Sequence, residues 1–569
     1  MSSKWAAAIL ISIIALSGFV RLWNIGNAEL TYDEGLYAFR SIGYLDYLES
    51  SAQPTPIQWL PKKPLPWWLN LSMHDAPPLF FVIQHVFFGA LGDSLLAARL
   101  PSALSGLGAI LLIYFIARRL FAYMEERRRV LISLSAAFLL SITFAHVFVS
   151  RLSMLESVLI FFVLLNILCF LRYVEDQRRW ISFGITLGLC ALIKYTSIFL
   201  IPVYFVFLSM VGPSFLKSYK FYGSLLIALI MFSPVIIYNI NFYNTFGHFD
   251  LQFTYLLHQD VSYWHGDSGK TQEPFYNFGE NMLSLYSPLW LILAASGGLL
   301  ALLSVFKLRF DIRSSKEAQS AIFILLLAIF ITFILMMVGS AFRFLAFYVI
   351  PGVLLISSTP FILAKYISGN ISSNISGNIF GKKGMIVVAA LFAVFLGYES
   401  FYMVRSLRVV YASDFGVVKL DKYLDGIFGA DRPPTLPRHP NIHLDKVIES
   451  FAAEIPDDLP PTGIIYDENI STAASLWLFS RRQYYHGIPI MTASNFQEIT
   501  KSEGLEVFDG FTLYFVKAGS EAPLEPKKPL IYASEIEQSL RASSQKPETV
   551  IMGGEGTPAF TIYKFKIVK

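Results

Sequence analysis

Eleven stretches of the chain are almost wholly apolar: residues 5–22, 95–117, 130–149, 157–171, 180–193, 195–213, 221–241, 285–306, 320–340, 344–364 and 385–404. Most approach the roughly 20 residues that a helix rising 1.5 Å per residue needs to cross about 30 Å of hydrocarbon. The pattern predicts a mainly α, polytopic membrane protein with about eleven transmembrane helices. The first stretch follows MSSK directly and shows no small-residue cleavage site, so it reads as a retained span. Residues 77–92 are also apolar, but counting them as a span would move the Arg127–Arg129 cluster to the other side. They are expected to lie flat in the outer interface, within a long outer loop over 23–94. After Met403 the pattern changes to short alternating runs (GIIYD, TLYFVK, TIYKFKIVK) between helix-period stretches such as DENISTAASLWLFSRR. That predicts a membrane module over 1–404 followed by an α/β domain over 405–569. The tract GNISSNISGNI at 369–379 reads as a low-complexity repeat without assigned function.

Composition sharpens this picture. Apolar residues make up 54% and charged residues 15%, against about 25% charged in soluble domains, which excludes a soluble globule. A net charge of +4 gives no case for a nucleic-acid partner. Cys169 and Cys190 lie inside apolar runs, so no disulfide framework is expected. The links after even-numbered spans are basic, with Arg127–Arg129, Arg178, Lys217, Arg313 and Lys382, whereas 244–281 holds five carboxylates against Lys270 alone. By the positive-inside rule the basic links are cytoplasmic and the C-terminal domain extracytoplasmic, in a plasma membrane or its equivalent.

The ionisable residues near span ends gather on one side. Arg99, Arg151, Glu156, Lys194, Arg343 and Glu399 all fall toward the outer leaflet, where Asp33, Glu34, His74 and Asp75 of the outer loop can join them. Charge at membrane depth commonly marks a substrate site. A transporter is expected to put polar groups at mid-membrane, and here the span interiors are apolar. The pattern suits an enzyme that works at one membrane face on a substrate with an apolar tail and a polar head. An adjacent Asp33-Glu34 pair can accept a proton from a hydroxyl or hold a metal, while Arg and Lys at span ends can neutralise a phosphate leaving group. A helix N-terminus also favours acidic residues for dipole reasons alone, and Glu34 is assigned mostly to that local structure.

The order of pieces resembles the GT-C membrane glycosyltransferases: a first span, Asp33-Glu34, a loop ending His-Asp-x-Pro-Pro-Leu at 74–79, then ARLPSAL at 98–104 ending in ARRL at 117–120. It is most similar to the branch of protein O-mannosyltransferases and lipid A aminoarabinose transferases, with SRLSMLES (150–157), GLCALIKYTSIFLIP (188–202) and RFLAFYVIP (343–351) in support. The resemblance implies inverting transfer of a single sugar, mannose or similar, from a dolichyl or undecaprenyl phosphate sugar to a protein, glycan or lipid acceptor. Asp33 falls where the family has its base and Glu156 where it has a second acidic residue. Asp33, Glu34 and Glu156 form the catalytic set. Lys194 and Arg343 match phosphate contacts, and Arg151, Tyr37, Arg40, His74 and Asp75 complete the expected substrate-binding set. Departures are Leu36 where aminoarabinose transferases carry Arg, Asp75-Ala76-Pro77-Pro78 in place of Glu-Lys-Pro-Pro, and His74 displaced by two residues from the O-mannosyltransferase His-Pro-Pro-Leu. No cofactor is certain. His74 or Asp75 with His248, His258 or His265 could hold a divalent metal. The rival readings are an oligosaccharyltransferase, whose WWDYG-type motif is missing, and a solute carrier or receptor.

Overall fold

All eleven apolar stretches coincide with helical segments of the computed structural model, which describes residues 3–567 apart from 32, 49–53, 61–64, 265–276, 309–311, 370–376, 429–461 and 526–529. Helix α1 (Ser3–Leu22) leads into the loop that carries α2 (Glu34–Gly43), α3 (Pro56–Trp59) and α4 (Leu79–Leu91). Then come α5 (Leu95–Leu120), α6 (Glu126–Ile142), α7 (Phe144–Arg151), α8 (Leu155–Glu175), α9 (Trp180–Ile193) and α10 (Leu200–Val211). The bundle continues through α11 (Tyr219–Met231), α12 (Ser233–Phe246), the small α13 (Leu251–Leu256) and α14 (Phe278–Leu285), and α15 (Pro288–Lys307). It closes with α16 (Lys316–Val338), the one-turn α17 (Phe342–Leu345), α18 (Val349–Gly369) and α19 (Gly377–Ala412).

Among the described residues seven helical segments are long and apolar enough to cross a membrane, or nine if two bent pairs count as spans. The other two expected spans, at α9 and at Tyr195–Val211, are shorter apolar helices. Each bend has a local cause or consequence. α11 and α12 meet at 54° where Pro234 opens the second helix, since proline lacks the N–H that would continue the ladder. α6 and α7 meet at 55° around Thr143. There buried Arg21 donates to the carbonyls of Ser141 (3.1 Å) and Leu140 (3.4 Å), groups that the interrupted helix leaves available.

The chain beyond α19 forms α20 (Val417–Phe428) and a five-stranded mixed sheet. Strands β1 (Thr462–Tyr466), β2 (Ile490–Thr492), β3 (Thr512–Ala518), β4 (Thr549–Met552) and β5 (Pro558–Lys566) lie in the order β2-β1-β3-β5-β4. β1 runs parallel to β2 and β3, and β5 antiparallel to β3 and β4. Alternation along the strands sends Ile464, Tyr514, Val516 and Ile562 to one face and Ile465, Leu513, Phe515 and Tyr563 to the other. The first face packs on α20 and on Trp477 of the helical run Thr472–His486, and continues into Leu30, Ala38 and Leu95 of the membrane module.

The region that carries the sheet therefore sits directly on α2. A Cβ at Gly35 would stand 1.9 Å from the Ala473 carbonyl oxygen, so only glycine permits this approach. Tyr485 donates to the Phe39 carbonyl (2.9 Å), and Arg481 reaches both the Asp93 carbonyl (2.8 Å) and Asp421 (2.6 Å). The helix that begins at the Asp-Glu pair is thus held from above as well as from the bundle.

Candidate active site

Asp33 is the N-cap of α2, yet its carboxylate makes no capping bond to the helix amides. It instead forms an ion pair with the Arg343 guanidinium and lies 3.4 Å from the Tyr37 hydroxyl, one turn further along. Both partners stay partly open, with side chains 39% (Asp33) and 25% (Arg343) exposed. Arg343 reaches this position from α17, a single turn after α16 ends at Gly339 with φ 92°. Phe344, next along, forms a platform for two cations: its ring centroid is 5.1 Å from the Arg343 guanidinium carbon and 4.3 Å from Lys194 Nζ. Lys194, at the turn after α9, pairs at 2.6 Å with Glu156, which is fully buried in the first turn of α8.

Tyr37 ties these pairs together. Burial first pushes its hydroxyl well above the usual tyrosine range; Arg343 opposes this, while Asp33, Glu156 and Asp75 add to it. A second arm extends from Arg40 of the same helix, whose Nη1 donates to Asp75 at 2.7 Å and whose Nη2 stands 3.6 Å from Asp46. Burial pulls the Arg40 guanidinium down, but Asp75 and Asp46 outweigh it and hold Arg40 above its ordinary value. Asp46 in turn accepts from the His74 amide (2.8 Å) and meets His74 Nδ1 (2.9 Å). Burial pushes Asp46 up, and His74 and Arg40 more than offset this, keeping it below the usual carboxylate range. The His74 and Asp75 carbonyls accept from the Leu251 amide and Gln252 Nε2, so α13 closes this side. At its N-cap, buried Asp250 accepts from Tyr195 (2.8 Å) and Asn239 (3.0 Å).

Asp33, Tyr37, Arg40, His74, Asp75, Glu156, Lys194 and Arg343 are therefore brought into one connected cluster. Glu34, Arg151, Glu399 and His258 are not part of it. The Glu34 carboxylate takes two bonds from Arg99, each 2.8 Å, and one from the Ser153 amide at 2.6 Å, with Glu34 and Arg99 both fully buried. Arg151 donates to the Val20 and Trp23 carbonyls and to Tyr411. Glu399 accepts from Ser287. His258 is exposed at a left-handed turn, φ 53°, and His265 lies outside the described residues. Of the metal candidates, His74 keeps a buried Nε2 without a hydrogen-bond partner, but Asp75 is taken by Arg40. Among the described residues no three His, Cys, Asp or Glu side chains converge on one point.

Sequence reasoning passed over Asp46, Asp250 and Phe344. Asp46 sits in a helix-like run with no motif around it, and Phe344 is one aromatic among 50 phenylalanines. Beside Lys194, an almost wholly apolar cavity of about 450 Å³ runs between α9, α10, α11 and α13, with Tyr195, Ile198, Leu225, Phe232 and Phe253 in its walls.

Residues 75–238 match the family described as dolichyl-phosphate-mannose-protein mannosyltransferase. A Bacillus subtilis (strain 168) protein described as "Putative mannosyltransferase YycA" is 26% identical over 236 residues, which is 41% of this chain and 31% of that protein. The chain's match thus spans about a third of that relative. Among solved structures, ArnT from Cupriavidus metallidurans bound to undecaprenyl phosphate superposes with a TM-score of 0.50 at 14% identity, covering 99% of this chain and 98% of that one. The Archaeoglobus fulgidus oligosaccharyltransferase in complex with Zn and sulfate also gives 0.50, at 13% identity over 90% of this chain and 68% of that one.

Proposed function

We propose that the chain is a membrane glycosyltransferase of the GT-C type and that it moves a single sugar, mannose or a close relative, from a polyprenyl phosphate donor to an acceptor hydroxyl on the extracytoplasmic face. The observation that carries this reading is the open Asp33–Arg343 pair standing beside Lys194–Glu156. A carboxylate and two cations, each cation against the same Phe344 ring, supply a base and a phosphate cradle within one cluster. The apolar cavity that begins at Tyr195 suits the first part of a polyprenyl tail. The undecaprenyl phosphate bound by the ArnT neighbour supports the donor class.

In the proposed reaction the donor phosphate is held by Arg343 and Lys194 through charge-assisted hydrogen bonds. Phosphate competes with Asp33 for Arg343, so donor binding frees the Asp33 carboxylate. The acceptor oxygen attacks the anomeric carbon while Asp33 takes its proton. The bond from that carbon to the phosphate oxygen breaks with inversion, and the electron pair leaves with the polyprenyl phosphate, whose charge the two cations meet. Glu156 keeps Lys194 at its post, and Asp75 with Asp46 does the same for Arg40.

The test is transfer from a radiolabelled polyprenyl phosphate sugar by purified protein in detergent. Loss of a charge-assisted phosphate contact costs about 1.5–3 kcal/mol, so Arg343→Ala raises the donor KM roughly tenfold to a hundredfold with a smaller effect on acceptor use. An unchanged donor KM removes the phosphate assignment.

A further inference from the structure

A second cavity, of about 760 Å³, opens away from the Asp33 cluster, where α1, the end of α19 and the start of α20 meet. One side of it is apolar. Phe19 of α1, Trp23 just after it and Val404 of α19 line it, and these three are among the exposed large hydrophobic residues, at 59%, 67% and 42%. Exposed aromatic groups at the end of a membrane helix suit the headgroup level of a bilayer. The other side is charged, with Arg151, Arg408, Lys419 and Lys422 facing Glu29 and Asp414.

Those charges do not cancel. Asp414 is taken by Lys419 at 2.5 Å. Glu29 turns its oxygens to the Val417 and Val418 amides, at 3.1 and 3.4 Å, where they cap α20. Among the described residues Lys422 meets only the neutral Asn27 side chain, at 2.8 Å. Arg151, 6% exposed, donates only to the Val20 and Trp23 carbonyls and to Tyr411, and has no carboxylate partner among the described residues. Arg408 makes no ion pair among the described residues and is exposed. Behind this wall Arg21, fully buried, is held by Ser17, His146 and two carbonyls, and meets no carboxylate among the described residues. Cationic groups without acid partners, set against a lipid-facing apolar wall, call for an anion that carries its own apolar part.

We infer that this cavity is a binding site for an amphiphile with a phosphate-bearing, anionic headgroup, which meets Arg408 and Lys422 while its chains lie against α1 and α19. The site is separate from the reaction cluster: none of the residues in that cluster lines it. It does not depend on the transfer reaction proposed above.

Native mass spectrometry of the full chain, released from detergent, tests the inference. The probes are phosphatidylglycerol, phosphatidylcholine with the same chains, and inorganic phosphate. The variants are the exposed pair Arg408→Ser/Lys422→Ser and, as a reference at the other site, Arg343→Ala. A basic residue near an anionic lipid surface is worth about a fivefold gain in binding. The expected result is one phosphatidylglycerol retained at least about tenfold more tightly than phosphatidylcholine, lost on the order of tenfold in the double variant and kept in Arg343→Ala. Equal retention of phosphatidylcholine, or a double variant that binds like the wild type, overturns the inference. Loss in Arg343→Ala overturns the location, and full displacement by millimolar inorganic phosphate overturns the amphiphile in favour of a free anion.

Discussion

Asp33 and Glu34 are neighbours at the start of one helix, but they meet opposite surroundings. Asp33 lies in a partly open ion pair that water and a ligand can reach. Glu34 is enclosed, with Arg99, Thr31 and the Ser153 amide on its two oxygens. An exposed pair is worth little and opens readily, whereas removing one partner of a buried pair leaves an uncompensated charge. A carboxylate suited to chemistry is therefore the one whose partner can be exchanged for substrate. The other, a residue away, locks α2 to α5 so that Asp33 is presented reproducibly.

The largest effect expected outside the reaction itself follows from breaking the enclosed pair. Glu34→Gln strands the Arg99 charge and costs about 3–5 kcal/mol of stability, visible as a clear drop in thermal unfolding temperature in detergent, with transfer per folded molecule within a few-fold of wild type. A variant as stable as wild type would erase the contrast. Glu29 extends the comparison to a third carboxylate of the same loop. Burial outweighs its two amide partners and raises it from an ordinary 4.5 to about 7. The fold thus favours its protonated form, so its stabilising contribution is complete below pH 4.5 and is lost as pH rises through 7. That loss is worth up to about 3 kcal/mol. Hydrogen exchange at the start of α20 should quicken between pH 5 and 8 beyond its intrinsic pH dependence, and Glu29→Gln should flatten that extra slope. The smallest effect concerns Tyr37, whose hydroxyl stands a long 3.4 Å from Asp33. Tyr37→Phe should lower kcat by less than about fivefold, and a larger fall would make Tyr37 a participant rather than a neighbour.

Much of the architecture was legible because hydrocarbon imposes length and composition on each span, and all eleven apolar runs do coincide with helices. Charges at span ends were legible for the same reason, since apolar interiors make them conspicuous. Which charges meet is a different matter. Glu34 and Arg99 are 65 residues apart, and Asp33 and Arg343 are 310 apart; periodicity carries no signal over such separations. Glu34 was counted in the catalytic set although dipole reasoning assigned it mostly to local structure, and the dipole explains little of its surroundings, because Arg99 is what holds it. Arg151 was drawn into the binding set by its place at a span end, but the carbonyls at the end of α1 claim it. The docking of the sheet-bearing region on α2 was also hidden, although Gly35, in the middle of DEGLYAF, is the residue that allows it.

The most direct measurement compares transfer rates of Asp33→Asn and wild type at matched folded fraction, confirmed by size exclusion, with radiolabelled polyprenyl phosphate sugar at saturating donor. Asparagine keeps the shape and one acceptor oxygen but removes the basicity, and loss of a general base costs about 10²–10⁴ in rate. The account predicts a fall in that range with the protein still folded. An Asp33→Asn protein that turns over within a few-fold of wild type would contradict it and move the search for the base to Asp75 or Glu156.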